Sequence, residues 1–382
     1  MLAEVVTIKQ QRTLKKLKVI LSGGGTGGHI FPAVSIANEI KKLVPEAEIL
    51  FVGALGKMEM EKVPAAGYKI IGLPIAGIQR KLTLANLKFP FLLIQSILKA
   101  RSIVKEFKPD VVVGTGGYAS GPLLRAATSM DVPALIQEQN SYAGVTNKWL
   151  AKKAAKICVA YEGMEKFFPK EKIMLTGNPV RQDIKDVSHL REEGQKFFGL
   201  NPSQKTLLVI GGSLGAKGIN EGIGEGLQIL ADNNLQLIWQ TGKVYFEKAK
   251  QQASPYETKN IKAVDFISRM DLAYAIADAV VSRAGAGAVS ELCIVKKASI
   301  LVPLPTAAED HQTQNAMALV NKKAAILVKD TECKEKLVKE AVALINNESL
   351  KRELENNMAP LAYHNSANVI AKEVLKLAKY NL

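Results

Sequence analysis

Short apolar segments rich in β-branched residues alternate along the chain with longer segments whose hydrophobic residues have helical spacing. Each short segment has the length of a strand, and its nearly continuous apolar character is typical of parallel sheets covered on both faces. The predicted strands are residues 18–21, 49–52, 69–71, 110–113, 134–136, 157–160 and 173–175, and then 207–210, 236–239, 261–264, 279–281, 299–302 and 326–328. This pattern predicts an α/β protein built from parallel sheets.

A Gly/Pro break, TGNPVR at residues 176–181, separates the two groups of predicted strands. The 382 residues are enough for two domains, each with its own core. We predict a basic extension at 1–14, a doubly wound domain at 15–180, a second at 181–357, and a last segment, 358–382, with a helix from about Ala367 to Lys379. Ligands of such sheets bind beyond the carboxyl ends of the strands, so a cleft between the domains is the expected site.

Residues 22–33, SGGGTGGHIFPA, join the first predicted strand to a helix. Glycines there allow backbone N–H groups to approach an anion at the helix N-terminus. Pro32 suits a first helical turn, and His29 is the one side chain of the loop that exchanges a proton near neutral pH. The spacing also fits the dinucleotide fingerprint G-x-G-x-x-G, but the second strand ends in Gly53 where that fingerprint needs an acidic residue. A tight turn without a ligand is the alternative.

The order of strand, glycine loop and helix recurs three more times in the chain. It occurs at residues 111–122 (VVVGTGGYASGP), 208–216 (LVIGGSLGA) and 281–291 (VSRAGAGAVSE). Four such junctions favour anion binding over turn formation alone, and two anionic ligands, one in each domain, would account for them. A purely structural role for one or two of the loops stays open.

The net charge of +15 favours anionic partners such as phosphorylated ligands, an acidic membrane surface or nucleic acid. No zinc-finger spacing or aromatic RNA-binding motif accompanies this charge, so we do not expect nucleic acid as a partner. Cys158, Cys293 and Cys333 lack CxxC spacing, which predicts neither a disulfide framework nor a zinc site and fits a reducing cytoplasm. The basic N-terminal residues contain no apolar core, so a cleaved signal peptide is not expected.

The amino-acid sequences of the loops resemble those of a known family. GGGTGGHIFPA, GTGGYASGP, EQNSYAGVTNKWLA, GNPVR, GGSLGAKGIN and SRAGAGAVSEL, in this order, closely resemble the MurG family of bacterial glycosyltransferases, over nearly the whole chain from Lys18 onward. The resemblance implies the GT-B fold, in which two Rossmann-like domains face a deep cleft and a C-terminal helix returns to the first domain. It also implies transfer of N-acetylglucosamine from UDP-N-acetylglucosamine to the C4 hydroxyl of lipid I, undecaprenyl-diphospho-N-acetylmuramoyl-pentapeptide, which forms lipid II for peptidoglycan.

The resemblance also assigns a donor site, most of it in the second domain. Its residues would be Thr26, Gly27, Gly28 and Asn140 from the first domain, and Arg181, Ser213, Ile267, Glu291, Gln312 and Asn315 from the second. Arg181 and Ser213 would bind the diphosphate, and Glu291 would accept hydrogen bonds from both ribose hydroxyls. The backbone of Ile267 would face the uracil, and the amides of Gln312 and Asn315 would read the sugar hydroxyls.

The acceptor side is assigned to the first domain. His29 would act as a general base for the acceptor hydroxyl, a role worth about 10²–10⁴ in rate, and direct attack would invert the anomeric centre. A structural role for His29, or donation to the acceptor diphosphate, is the alternative. That diphosphate would lie against Gly25, Gly116, Gly117, Tyr118 and Ser120. The chain has no Asp-x-Asp pair for a divalent ion, so no metal or other cofactor is required, and stimulation by Mg²⁺ stays open.

The stretch from Leu82 to Leu98, LTLANLKFPFLLIQSIL, is rich in bulky apolar side chains and has basic residues around it: Arg80, Lys81, Lys88, Lys99, Arg101 and Lys105. Its uncharged part, 89–98, has half of the ~20 residues that a spanning helix needs. We therefore expect peripheral docking on an anionic membrane, with an amphipathic core helix as the alternative. The resemblance implies the cytoplasmic face of the plasma (inner) membrane and makes cell-wall synthesis and division proteins candidate partners.

Two other functions stay open at this point. One is a different GT-B activity on UDP-sugars, such as a glycolipid glycosyltransferase or a UDP-sugar epimerase. The other is a basic binding module without catalysis, which would explain the net charge of +15 but would not explain the four ordered glycine loops. The GGHIFP and GGYASGP loops match the acceptor side of the first interpretation and favour it.

Overall fold

The computed structural model describes residues 16–75, 89–181, 184, 186–212 and 214–381. This part of the chain forms two α/β domains, one on a seven-stranded sheet and one on a six-stranded sheet. The predicted basic extension at 1–14, the donor residue Ser213 and the first part of the stretch that begins at Leu82 lie outside the described residues. The predicted fold class, two doubly wound parallel-sheet domains, is confirmed.

The first domain contains strands β1 (Lys18–Gly23), β2 (Glu48–Ala54), β3 (Lys69–Leu73), β4 (Val111–Gly116), β5 (Ala134–Glu138), β6 (Lys156–Val159) and β7 (Ile173–Leu175), with helices α1 (Gly27–Leu43), α2 (Glu59–Ala65), α3 (Phe89–Phe107), α4 (Ser120–Thr128) and α5 (Val145–Leu150). All seven strands are those that the hydrophobic pattern predicted. The differences are of one to three residues at their ends.

The second domain contains helix α6 (Arg191–Phe198), strands β8 (Thr206–Ile210), β9 (Gln236–Gln240), β10 (Ile261–Val264), β11 (Ala279–Ser282), β12 (Ser299–Leu301) and β13 (Ile326–Leu327), and helices α7 (Lys217–Glu225), α8 (Leu227–Asp232), α9 (Phe246–Ala253), α10 (Met270–Ile276), α11 (Ala286–Val295), α12 (His311–Val320), α13 (Val338–Asn346) and α14 (Glu348–Met358). Helix α15 (Ser366–Leu377) follows them.

Both sheets have the same strand order with respect to the chain. The first is β3-β2-β1-β4-β5-β6-β7 and the second is β10-β9-β8-β11-β12-β13, with parallel pairing throughout. The order reverses between β1 and β4 in the first sheet and between β8 and β11 in the second, and ligands of such sheets bind at these switch points. The four glycine loops of the sequence follow these four strands, so they form one pair at each switch point.

Helix α15 returns to the first domain, as the GT-B resemblance implied. Its apolar face, with Ile370, Ala371 and Val374 fully buried, packs in one cluster with β1 and α1. Asn368 adds a hydrogen bond from Nδ2 to Glu39 Oε1 of α1, at 2.7 Å. The last helix therefore belongs to the core of the domain in which the chain begins.

One local expectation was wrong. Helix α1 begins at Gly27, with the first helical hydrogen bonds running from His29 N and Ile30 N to Thr26 O. Pro32 consequently lies in the second turn and not in the first, where its missing N–H would cost nothing. The helix starts earlier because the glycine loop itself already forms its first turn.

Candidate active site

The two glycine loops of the first switch point touch each other. Gly24 N donates to Gly116 O at 3.3 Å, and a Cβ on Gly117, whose φ is +88°, would overlap the carbonyl oxygen of Gly24. The fully buried Ser120 hydroxyl lies within hydrogen-bond distance of both Ser22 O, at 2.8 Å, and Gly116 O, at 2.9 Å. Ser120 therefore joins the two loops. Its hydroxyl is not exposed to a ligand, in contrast to the predicted contact with the acceptor diphosphate.

A buried carboxylate accepts a hydrogen bond from the backbone of the first glycine loop, residues 22–33. Glu59, fully buried at the start of α2, accepts from Gly25 N at 2.8 Å through Oε2 and from Ala54 N at 2.9 Å through Oε1. The N–H of Gly25, expected to bind the acceptor diphosphate, is thus directed at Glu59. Nothing in the sequence singles out Glu59, because an isolated Glu in a helical segment is typical of a solvated helix face.

His29 lies in the first turn of α1 and is held by the ends of two neighbouring strands. Thr115 Oγ1 donates to His29 O at 2.7 Å, and Gln139 Oε1 lies 2.8 Å from His29 Nδ1. A Cβ on Gly116 would lie 2.9 Å from the imidazole atoms Cε1 and Nδ1. The ring therefore lies against the backbone of β4, and a glycine is needed there because the ring comes so close.

Replacing Gly116 by alanine is expected to push the imidazole of His29 out of place and to lower turnover about tenfold or more, since small displacements of a catalytic group are costly. The φ of +103° adds backbone strain. The matched control is Gly56→Ala, where φ is +71° but no atom lies within 4 Å of the new Cβ. Steady-state kinetics and thermal unfolding of both variants test this. Equal losses of turnover would contradict it.

The remaining first-domain residues lie around the N-terminus of α1. Thr26 is the N-cap, with extended backbone and no capping hydrogen bond from its side chain, and both Thr26 and Gly28 are exposed. Gly27 begins the helix. The half-exposed ring of Tyr118 lies over Gly25, with Cε2 3.8 Å from where a Cβ would be. A helix N-terminus, a hydroxyl and a phenol thus meet at one exposed place.

In the second domain, Glu291 on α11 is held from two sides. Arg181 Nε donates to Glu291 Oε1 at 2.8 Å, and Tyr274 OH donates to Glu291 Oε2 at 3.0 Å. Burial, together with the Glu291 carboxylate, raises the pKa of the Tyr274 phenol well above its ordinary value, so the phenol stays protonated and donates. The sequence placed Arg181 and Glu291 in one site, which the structure brings together. It did not single out Tyr274.

Gly285, the N-cap of α11, and Gly287, in the first turn of that helix, differ from the glycines of the other loops. A Cβ at Gly285 or Gly287 would have no atom within 4 Å, and neither residue has a positive φ. Packing of the protein does not require glycine at these positions, so open space in front of the helix is what they provide. By contrast, a Cβ on Gly215 would overlap Thr241 O, and the φ of Gly215 is +81°, so that glycine is required by the fold.

Two further predicted donor residues occupy the same side of the second domain. The side chain of Ile267 is buried in the core and follows the exposed Phe266, so only its backbone can face a ligand, as expected. Gln312, in the first turn of α12, accepts from Leu304 N at 3.0 Å through Oε1. That bond fixes the amide of Gln312 to the loop after β12.

Asn140 and Asn315 contact each other across the two domains. Asn315 is fully buried and donates from Nδ2 to Asn140 Oδ1 at 3.1 Å and to Ala284 O at 3.3 Å. Its Oδ1 accepts from Ser141 N at 2.9 Å and from Ser141 Oγ at 3.2 Å. All four hydrogen-bonding positions of the Asn315 amide are used, so it joins the domains and a sugar would have to displace one of these bonds.

A series of buried amides continues from His29 toward the second domain. Gln139 Nε2 donates to Gln137 Oε1, Gln137 Nε2 donates to Asn178 Oδ1 at 2.9 Å, and Asn178 Nδ2 donates to Ser290 Oγ at 3.0 Å. Ser290 belongs to α11, the helix that carries Glu291. The first and second switch points are therefore connected through the segment that links the domains.

A cavity of about 390 Å³ also lies between the domains, lined among others by Tyr161, Asn178, Ser290, Cys293 and Tyr363. It lies beside the linking segments and not among the predicted donor residues. Within the described part of the chain, no group of three or more His, Cys, Asp or Glu side chains could hold a metal ion.

Comparisons with known proteins agree with this architecture. Residues 19–159 match the glycosyltransferase family 28 N-terminal domain, and residues 206–374 match the C-terminal domain of the same family. A UDP-N-acetylglucosamine–N-acetylmuramyl-(pentapeptide) pyrophosphoryl-undecaprenol N-acetylglucosamine transferase from Phocaeicola vulgatus is 58% identical over 95% of this chain and 97% of its own length.

Solved structures agree as well. Acinetobacter baumannii MurG has a TM-score of 0.75 and 27% identity, over 94% of this chain and 99% of its own. A UDP-N-acetylglucosamine 2-epimerase from Neisseria meningitidis, at TM-score 0.64 and 15% identity over 94% of this chain and all of its own, shares the fold alone. The chain therefore belongs to the MurG family of UDP-N-acetylglucosamine-dependent glycosyltransferases.

Proposed function

We propose that this protein transfers N-acetylglucosamine from UDP-N-acetylglucosamine to the C4 hydroxyl of lipid I, which forms lipid II for peptidoglycan synthesis. Identity of 58% to a transferase named for this reaction supports the proposal. The structural observation that carries it is the connection of the two switch points. His29 on one side and the helix of Glu291 on the other are the ends of one series of buried hydrogen bonds.

The donor nucleotide is proposed to bind at Glu291 and the open start of α11. A carboxylate can accept from two vicinal hydroxyls, and Tyr274 and Arg181 donate to that carboxylate and orient it. The space in front of Gly285 and Gly287 allows a diphosphate to approach the helix N-terminus, where the dipole favours negative charge. Arg181 is suited to share its fork between the carboxylate and a phosphate.

The acceptor is proposed to bind in front of the first switch point, with His29 as the general base. A sugar hydroxyl is a weak nucleophile at neutral pH, so removal of its proton in the transition state raises the rate. Direct attack on the anomeric carbon inverts its configuration. The departing UDP is stabilised by backbone donors, Arg181 and helix N-termini, so we propose that metal is not required and that Mg²⁺ at most stimulates. Activity that persists in excess EDTA would support this.

Transfer itself is tested by offering labelled UDP-N-acetylglucosamine with a short-chain lipid I analogue and looking for the disaccharide product. We expect the disaccharide, with little product when UDP-glucose replaces the donor. Equal transfer from UDP-glucose would favour another GT-B activity. Conversion of UDP-N-acetylglucosamine without any acceptor would favour an epimerase, and absence of both reactions would favour a binding module.

We also propose that the protein docks peripherally on the cytoplasmic face of the plasma membrane through helix α3. Phe91, Ile94 and Leu98 are 76%, 59% and 61% exposed and share one face of this helix, which continues into the exposed Arg101 and Lys105. Apolar side chains beside cations fit an anionic bilayer surface. In the described residues, no helix is long and apolar enough to cross a membrane. Cell-wall synthesis and division proteins stay candidate partners.

Replacing Phe91, Ile94 and Leu98 together by serine is expected to weaken binding to vesicles that contain anionic lipid more than tenfold, since each inserted side chain contributes about 1 kcal/mol or more. Turnover of a water-soluble acceptor analogue should be unchanged. Phe197→Ser is the control, because Phe197 is 56% exposed on the second domain. Vesicle sedimentation measures the effect, and unaltered binding of the triple variant would contradict it.

A further inference from the structure

We propose that Gln139 is a positioning residue that fixes the tautomer of His29, with the proton on Nδ1, so that Nε2 is the nitrogen able to accept a proton. The effect of Gln139 on catalysis rests on the proposed role of His29 as the base. The position of the proton on His29 does not rest on that role, because it can be observed without turnover.

The orientation of the Gln139 amide is determined by backbone carbonyls. Gln139 is 1% exposed, and its Nε2 donates to Thr115 O at 2.8 Å and to Gln137 O at 2.9 Å. A carbonyl oxygen can only accept, so the NH₂ group must lie on that side. Rotation of the amide by half a turn would place its oxygen against two carbonyl oxygens and leave all three without a donor, which is costly in a buried site.

The amide oxygen therefore faces the imidazole. Gln139 Oε1 lies 2.8 Å from His29 Nδ1, and since an amide oxygen can only accept, Nδ1 must carry the hydrogen. A neutral imidazole has one protonated nitrogen, so Nε2 carries a lone pair. In the opposite tautomer, Nε2 would be a donor and could not take the proton of a hydroxyl.

The neighbouring amides support the same direction. Gln137 Oε1 is a third acceptor near the Gln139 NH₂ group and shares a hydrogen with the backbone carbonyls, and Gln137 Nε2 donates to Asn178 Oδ1. Asn178 Nδ2 in turn donates to Gln139 O at 2.9 Å and to Ser290 Oγ at 3.0 Å. In each of the three amides the oxygen accepts from the side of His29 and the NH₂ group donates onward to the next residue of the series, so reversing one amide would require reversing its neighbours.

The imidazole is also closely packed. A Cβ on Gly116 would lie 2.9 Å from its Cε1 and Nδ1, and Thr115 Oγ1 donates to the backbone carbonyl of His29. Gln139 therefore acts on an imidazole with little free space beside Nδ1. Its oxygen also stabilises the imidazolium that would form when Nε2 takes a proton, in the way that outer hydrogen bonds orient and support histidines in other sites.

The test is ¹⁵N NMR of the full chain labelled with ¹⁵N-histidine. The chain has four histidines. The ring signals of His29 are assigned by their loss in His29→Ala. At about pH 8, where an ordinary histidine is neutral, we expect a protonated Nδ1 and an unprotonated Nε2. This measurement on the unaltered protein tests the tautomer even where a variant fails to fold.

The variant is Gln139→Met, which keeps length and apolar contacts but removes the strong acceptor. We expect the two tautomers to mix, and kcat to fall about 10- to 100-fold with little change in KM for UDP-N-acetylglucosamine. The matched control is Gln236→Met, because Gln236 is a fully buried glutamine of the second domain whose Nε2 likewise donates to two carbonyls, Asn201 O and Gln204 O. It should leave the His29 signals and kcat unchanged.

A protonated Nε2 in the unaltered protein would overturn the proposal, as would ring signals that do not respond to Gln139→Met. The proposed base role fails separately. If the tautomer is as expected and depends on Gln139, but His29→Ala retains turnover, then Gln139 positions a histidine that is not the base. If His29→Ala is inactive while Nε2 carries the proton, the positioning by Gln139 is refuted and His29 remains essential for another reason.

Discussion

Replacing His29 by alanine is expected to lower kcat by about 10²–10⁴, the range that a positioned general base contributes. The KM for UDP-N-acetylglucosamine should change little, because the donor is proposed to bind at Glu291 in the other domain. The loss appears in kcat because the interaction with the hydroxyl proton strengthens only in the transition state. Single-turnover and steady-state rates with a short-chain lipid I analogue measure it.

The control for this substitution is His189→Ala. His189 is an exposed histidine of the second domain, and its Nδ1 lies 3.8 Å from Asp186 Oδ1. Its variant should retain turnover. If the His29 variant keeps a near-normal kcat with an unchanged thermal unfolding transition, the base assignment is wrong and the structural alternative for His29 gains weight.

Replacing Glu291 by alanine is expected to raise the KM for UDP-N-acetylglucosamine about 100-fold or more, the factor that two hydrogen bonds to a charged group supply. The carboxylate is proposed to accept from both ribose hydroxyls, and hydrogen bonds to a charged group contribute about 1.5–3 kcal/mol each. The substitution also leaves the buried hydroxyl of Tyr274 and the Nε–H of Arg181 without this acceptor. Isothermal titration calorimetry with UDP measures the affinity for the nucleotide in the absence of the acceptor.

Two further variants separate the carboxylate from its surroundings. Tyr274→Phe removes one hydrogen bond to Glu291 and should weaken UDP binding less than Glu291→Ala does. Glu193→Ala removes an exposed carboxylate of the same domain that is ion-paired with Arg269, and should leave UDP binding unchanged. Unchanged UDP affinity in Glu291→Ala would refute the proposed ribose contact.

The strands and the motif residues were predictable, whereas the residues that support them were not. Apolar segments of strand length identified every strand of the described residues, because burial of a strand gives several consecutive apolar residues. Glu59, Tyr274 and Gln139 left no such mark, since each acts on a residue far away in the chain: Glu59 on the first glycine loop, Tyr274 on Glu291, and Gln139 on His29. A single polar residue inside an apolar segment signals burial of a polar group but does not say what it contacts.

The sequence by itself determined the parallel α/β architecture, the number of strands and the four glycine loops that follow them, because periodicity and glycine content are local properties of the chain. The sequence did not show which of those glycines the fold requires and which leave space for a ligand. Only the tertiary structure showed that Gly117 is required by contact with another loop, that Gly116 makes room for the His29 ring, and that Gly285 and Gly287 face open space. Such distinctions depend on which distant segments the strand order brings together, and hydrophobic patterning carries no information on that.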